Sequence, residues 1–213
     1  MLLFYLPVIP AAESPVILVL GDSLSAAYGM DTELGWVRLL EQRLQTTGRP
    51  FRVVNASISG DTTRGALARV DDALHAHRPA IVIIGLGGND GLRGISLQEI
   101  KKNLAELVAT SQRHGARVLL LGMRLPPNYG KFYADRFHQL YLEVADETKA
   151  SLVPFFLESV ADDLSLMQDD RIHPSVAAQM LLLDTVWPYL EPLLSDTGST
   201  ISAPASVPAE PGG

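Results

Sequence analysis

Short apolar runs alternate along the chain with longer stretches whose apolar positions recur every three or four residues. The short runs lie at 16–20, 51–54, 80–84 and 117–121, with a weaker fifth at 151–153. Continuous apolar runs of this length, rich in Val, Ile and Leu, predict parallel strands buried on both faces. The longer stretches, near 35–46, 62–77, 96–114, 132–149 and 174–191, predict helices. Ser96-Leu97-Gln98-Glu99 has the form of a capping box, and Gly48, Pro79 and Gly115 punctuate helix ends. Five strand–helix units with right-handed crossovers give an α/β fold, a three-layer α/β/α sandwich on a five-stranded parallel sheet.

Such a sheet binds ligands beyond the carboxyl ends of its strands, so unusual polar and glycine clusters should follow strands. They do. Gly21-Asp22-Ser23 follows the first run, and Asn55 to Asp61 (NASISGD) the second. Gly85 to Asp90 (GLGGND) follows the third, and Asp170-Arg171-Ile172-His173-Pro174 lies between the fifth and the last helix. Four loops on one rim can converge on one pocket.

Their side chains are the parts of an activated-nucleophile hydrolase. Ser23 is the candidate nucleophile, set on a tight turn expected to lead into a helix. His173 is the best-placed base of five histidines, because it alone sits in a rim loop beside carboxylates. Asp170 or Asp169 would fix its tautomer; spacing alone does not choose between them. Gly60 can bring a bare backbone N–H to an oxyanion, and Asn89 can offer a side-chain amide. Asp22, Asp61 and Asp90 are expected to tie the rim loops together by accepting backbone N–H bonds. Ser25 stands where a Gly-x-Ser-x-Gly elbow needs its second glycine.

Composition narrows the field. The chain has 213 residues, 47% hydrophobic and 19% charged, which suits one domain with a sizeable core. A net charge of −7 argues against a nucleic-acid partner. There is no cysteine, which removes disulfides, thiolate metal sites and cysteine nucleophiles. Gly85-x-Gly87 lacks the third glycine of a dinucleotide fingerprint, with Asp90 in its place; no phosphate-loop or metal-ligand spacing occurs, so neither cofactor nor metal is expected. Residues 1–14 read as an apolar arm or the remnant of a signal peptide. The segment MLLFYLPVIPAA is too short to span a bilayer and lacks a basic start. The domain proper is expected over 15–194, and 195–213, rich in Ser, Ala, Pro and Gly, as a disordered tail.

Four ordered blocks resemble those of the SGNH (GDSL) hydrolases: Gly21-Asp22-Ser23-Leu24-Ser25, Ser59-Gly60-Asp61, Gly87-Gly88-Asn89-Asp90 and Asp170-Arg171-Ile172-His173-Pro174. The stretches VVNASISGDT, LGGNDGLRG, LPPNYG and VPFFLE make the chain most similar to the bacterial acyl-CoA thioesterase I, protease I and lysophospholipase subgroup, with arylesterases beside it. The resemblance implies the flavodoxin-like SGNH fold. It also implies Ser23 as nucleophile, His173 as base and Asp170, rather than Asp169, as its carboxylate. The Ser23 N–H, Gly60 and Asn89 match the oxyanion hole.

The expected function is therefore hydrolysis of carboxylic esters and thioesters through an acyl-enzyme on Ser23. Acyl or aryl esters, acyl-CoA and lysophospholipids are the expected small-molecule substrates, and no stable membrane insertion is expected. A non-catalytic carbohydrate- or lipid-binding module on the same fold is the competing reading, but it has no need of all five site residues. Leu92 and Ile95, with Leu125, Pro126 and Tyr129, would line an apolar acyl groove. Relatives of this subgroup are commonly periplasmic, so a periplasmic or secreted location is expected, with a cytoplasmic one as the alternative. The sequence does not indicate an oligomeric state.

Overall fold

The computed structural model describes residues 14–195. The expectations of an N-terminal arm and a disordered tail fall almost wholly on 1–13 and 196–213, outside the described residues. Ser195, assigned to the tail, instead closes the last helix.

Five parallel strands form one sheet in the order β2-β1-β3-β4-β5. They are β1 (Val16–Gly21), β2 (Arg52–Asn55), β3 (Ile81–Gly85), β4 (Arg117–Leu121) and β5 (Ser151–Val153). The central β1 and β3 are buried at every position, as their unbroken apolar runs require. Edge strand β2 differs from expectation: Arg52 and Asn55 are exposed, because only one side of that strand has a neighbour. Register pairs Leu20 with Ile84 and Gly21 with Gly85, so the loops after β1 and β3 leave the sheet side by side. The strand order reverses there, which opens the crevice where ligands bind in doubly wound sheets.

The helices are α1 (Trp36–Thr46), α2 (Thr63–Leu67), α3 (Val70–His77), α4 (Gly88–Leu92), α5 (Leu97–Arg113), α6 (Lys131–Thr148) and α7 (Gln179–Ser195). One layer pairs α1 with α7, and the other packs α2, α3 and α6 around α5. Trp36 and Phe156 meet edge to face on the first side, as do Phe137 and Tyr141 on the second. All four rings are fully buried. Ser96 caps α5 by accepting the Glu99 N–H at 3.2 Å, as expected.

Two helices depart from the expected spans. The stretch near 62–77 breaks at Ala68-Arg69, where Arg69 leaves helical geometry and turns its side chain toward the loop after β2. The last helix starts at Gln179, after a 3-10 turn over Val176–Ala178, and continues through Pro188 and Pro192. Both prolines lie on the exposed face, where water can satisfy the carbonyls they leave unpaired. Leu182, Val186, Leu190 and Leu194, one every four residues, keep the other face in the core.

Candidate active site

Ser23 lies in the segment after β1, but no helix begins there. The chain instead makes a series of turns, closed by Ala26 N–H to Asp22 O at 2.9 Å and Tyr28 N–H to Ser23 O at 3.2 Å. Regular helix waits until Trp36. The expectation of a serine at a helix start is thus corrected: Ser23 gains no helix dipole and caps no helix. Among the described residues, neither its N–H nor that of Gly60 donates a hydrogen bond. Both remain available to a ligand.

Ser23 Oγ lies 2.8 Å from His173 Nε2, across 150 positions of sequence. His173 Nδ1 lies 2.6 Å from Asp170 Oδ2. With an ionised Asp170, the ring carries its proton on Nδ1 and leaves Nε2 to accept from the serine. The other carboxylate oxygen of Asp170 accepts the backbone N–H groups of Ile172 and His173, each at 2.9 Å. The turn that permits this sets Arg171 at φ 56°, in the left-handed region. Burial pushes the Asp170 carboxyl up, but the backbone and ring N–H groups of His173 and the N–H of Ile172 outweigh it and hold it at about 2. Asp169 makes no hydrogen bond to His173.

The histidine loop is held from both sides. Gln168 N–H donates to His173 O at 2.7 Å. Its side-chain amide donates to Tyr28 O at 2.8 Å and Pro174 O at 3.1 Å. Gln179 accepts the Trp36 N–H at 3.0 Å and donates to Ser175 O at 3.1 Å. The loop is therefore anchored to the Ser23 turns and to the start of α1.

Asn89 sits in the first turn of α4. Its Nδ2 donates to Asp61 O at 3.0 Å and to Asp22 Oδ2 at 3.3 Å. One amide thus bridges the neighbour of Gly60 and the neighbour of Ser23. Gly87, just before α4, has φ 105° and leaves no room for a Cβ against the Tyr141 hydroxyl. That hydroxyl donates to Leu86 O at 2.9 Å. Burial, then Asp22 and Asp90, push its pKa well up, so it stays a neutral donor.

The three rim aspartates accept backbone N–H bonds as expected. Asp22 Oδ1 takes that of Leu24, Asp61 Oδ1 that of Thr62, and Asp90 both the N–H and hydroxyl of Thr63. Burial lifts the Asp22 carboxyl to about 6; the Leu24 N–H and nearby His173 pull it down, and Asp61 adds to the rise. Gly60 itself has φ 79°, a conformation that favours glycine. Its loop is stapled by Arg69, whose Nη1 donates to Ala56 O at 2.7 Å while Nε and Nη2 reach Asp61 Oδ2 at 3.0 and 2.7 Å. Sequence reasoning missed Arg69, Gln168, Gln179 and Tyr28. A long polar side chain gives no periodic signal of what it reaches across loops.

The five residues expected to form an acyl groove lie near one another. Tyr129 OH donates to Leu92 O at 3.4 Å, and Tyr133 OH to Ile95 O at 3.2 Å. Leu125 is buried against Gly91 beside Phe137, Leu92 and Ile95 are half-buried, and Pro126 and Tyr129 are exposed. A cavity of about 440 Å³ opens beside them, lined by Arg124, Leu125, Lys131, Ala134, Asp135 and His138. Of the five, Leu125 alone lines it. His138 rests its Nδ1 against Met123 O at 3.3 Å, and burial lowers its pKa. No group of three or more His, Cys, Asp or Glu among the described residues could hold a metal ion.

Comparison with known proteins places this geometry. A model of the GDSL-like Lipase/Acylhydrolase family matches residues 19–181. The "Esterase TesA" of Pseudomonas aeruginosa is 53% identical over 183 residues, covering 86% of this chain and 91% of that protein. The "Thioesterase 1/protease 1/lysophospholipase L1" of Escherichia coli K12 is 42% identical, covering 87% of this chain and 88% of that protein. Among solved structures, a psychrotrophic esterase EstA from Pseudoalteromonas sp., inhibited by monoethylphosphonate, superposes with a TM-score of 0.81 at 41% identity. The match covers 84% of this chain and 98% of that one.

Proposed function

The chain belongs to the GDSL-like lipase/acylhydrolase family, and from that premise we propose that Ser23, His173 and Asp170 perform its ester hydrolysis. The protein is a carboxylic ester hydrolase of the serine type, acting on esters and thioesters. One observation carries the residue assignment: the unbroken hydrogen-bonded chain from Ser23 Oγ through His173 to Asp170.

The chemistry follows from that chain. His173 Nε2 takes the Ser23 proton as Oγ attacks the substrate carbonyl carbon. Asp170, ionised down to about pH 2, stabilises the imidazolium without itself being protonated. The oxyanion is met by the N–H groups of Ser23 and Gly60 and by Asn89 Nδ2. Collapse of the tetrahedral intermediate expels the alcohol or thiol, which takes the proton from His173. Water, deprotonated by His173, then releases the acid from the acyl-enzyme and restores Ser23.

Acyl or aryl esters, acyl-CoA and lysophospholipids are the substrate classes this reading covers, with Leu92, Ile95, Leu125, Pro126 and Tyr129 on the acyl side. No helix among the described residues is long and apolar enough to cross a membrane. The apolar segment at 1–12 supports an exported, periplasmic or secreted, site of action.

The test is a panel of p-nitrophenyl esters and acyl-CoA thioesters of graded chain length, run on the wild type and on Ser23→Ala. The wild type should turn over both classes, while Ser23→Ala should fold and be inactive. A fluorophosphonate probe should label Ser23 and no other serine. Full activity in a folded Ser23→Ala protein would refute the assignment.

A further inference from the structure

The ring of Tyr28 packs against the His173 imidazole, with centroids 4.4 Å apart and planes tilted by 37°. We propose that Tyr28 is a positioning residue for the base: its ring holds the imidazole in line with Ser23 Oγ and favours the imidazolium that forms there. This rests on the assignment of His173 as base.

The backbone is arranged to deliver that ring. Ala27 has φ 57° and Gly29 φ 75°, so left-handed residues flank Tyr28 on both sides. A left-handed alanine carries a cost that surrounding structure must hold in place. Gly29 cannot be replaced cheaply, because its φ of 75° is a conformation that L side chains rarely adopt. Tyr28 N–H donates to Ser23 O, and Tyr28 O accepts from the Gln168 amide that also donates to Pro174 O. Nucleophile, tyrosine and histidine loop thus share one set of backbone bonds.

The ring is the active part of the side chain. Among the described residues the Tyr28 hydroxyl makes no hydrogen bond, and Tyr28 is 49% exposed. An aromatic left half in water while its ring covers an imidazole adds little to the core. Its contact is with a group whose charge changes during the reaction. Asp170 fixes one edge of the imidazole, and the buried carboxylate of Asp22 lies near it. Tyr28 adds an electron-rich flank that a cation prefers to a neutral ring, and it keeps water off that flank. Such a contact strengthens as the proton arrives, so it acts on the transition state more than on the bound substrate.

The experiment measures kcat and KM for a short-chain p-nitrophenyl ester in the wild type, Tyr28→Phe, Tyr28→Ala and Ser23→Ala, with thermal unfolding of each. Tyr28→Ala should lose roughly 3–10-fold in kcat, the size set by one aromatic pair, with KM and Tm near wild type. Tyr28→Phe should restore kcat. A raised KM with unchanged kcat would make Tyr28 a substrate contact and overturn the proposal. So would equal losses in Phe and Ala variants, which would assign the effect to the hydroxyl. A Tyr28→Ala protein that melts early and regains full kcat on cooling would show a structural role only, and also overturns it. If the wild type lacked activity, or Ser23→Ala kept it, the assignment of the base would fall first and the proposal with it.

Discussion

The side-chain amide of Asn89 donates to the buried carboxylate of Asp22 at 3.3 Å, and its second hydrogen goes to Asp61 O at 3.0 Å. Both hydrogens of the proposed oxyanion donor are therefore engaged before substrate arrives. The amide has no third to give. An incoming oxyanion must displace one acceptor, and the longer bond, to Asp22, is the weaker. Asp22 and Asp61 hold the amide in the crevice, and the bond to Asp22 is the one the proposed oxyanion would exchange. Preorganisation of this kind spares the cost of turning the donor during the reaction.

Removing the amide tests its role. Asn89→Ala should lower kcat by roughly 10²–10³-fold, the usual cost of one oxyanion donor. KM should change far less, because the interaction strengthens in the transition state. A rise in KM with kcat intact would make Asn89 a ground-state contact instead. The measurement is steady-state kinetics on one ester and one thioester.

Asp22 supports a prediction of opposite sign for stability and activity. Its carboxyl, ordinarily near 3.8, sits at about 6 in the fold because it is buried. A raised carboxyl pKa means that folding disfavours the ionised form. The penalty is absent well below pH 3.8, grows as pH rises, and is complete above about 6. At pH 8 it is about 3 kcal/mol. Asp22→Asn should therefore stabilise the protein at pH 8 by up to that amount and by little at pH 4. The same variant should lose activity, because Leu24 N–H and Asn89 donate to different oxygens of Asp22, and one of these becomes an NH2 that cannot accept. Chemical denaturation at the two pH values, paired with kcat, checks both halves. An equal stability change at the two pH values would mean that Asp22 is not a buried charge.

The layers of the fold were legible because they rest on pattern. The apolar runs of β1 and β3 admit only buried strands, and the polar clusters after strands point to one rim. Ser23, Gly60, Asn89 and His173 stood out for the same reason: small or reactive residues just past strand ends or in a rim loop, where packing does not require them, whereas Asp170 was set apart from Asp169 only by the family resemblance. What escaped was set by three-dimensional reach. Nothing in Gln168 or Arg69 signals that each bridges two loops. The helix break at Ala68-Arg69 follows from Arg69 reaching Asp61, a contact eight residues back that no helical period encodes. The turns after Ser23 replaced an expected helix because Ala27 and Gly29 take left-handed conformations. Glycine advertises that possibility and alanine does not.

The two adjacent carboxylates before His173 can be separated by function. Asp170 holds the ring at 2.6 Å and receives two backbone N–H groups, whereas Asp169 has no bond to the ring. Asp170→Asn should cost about 10⁴-fold in kcat, as expected when the carboxylate that sets a histidine tautomer is neutralised. Asp169→Asn should stay near wild type. Because the Asp170 carboxyl sits at about 2, its contribution to folding is present above pH 3.8 and is lost as pH falls through about 2. A larger loss of activity in Asp169→Asn would reassign the role.

Arg69 offers a test of how the Gly60 loop is held. Its guanidinium meets Asp61, only 10% exposed at its side chain, and also bonds Ala56 O. Removing a partner from a mostly buried charge leaves the other unpaid for its lost water. Arg69→Met keeps the apolar stem and deletes the bonds, so it should cost about 2–3 kcal/mol of stability. Arg69→Lys should recover only part, because an ammonium cannot reproduce the planar fork that spans Asp61 and Ala56. The damage should reach catalysis too. Asp61 O is an acceptor of Asn89, and Gly60 N–H is the adjacent proposed donor. A displaced loop moves both, so kcat should fall by about 10-fold or more, since an ångström of misplacement can cost 10²-fold. The double variant Arg69→Met/Asp61→Asn separates the two effects. Relieving the stranded charge should return stability toward wild type while kcat stays low. Recovery of kcat along with stability would mean that the staple matters for folding alone.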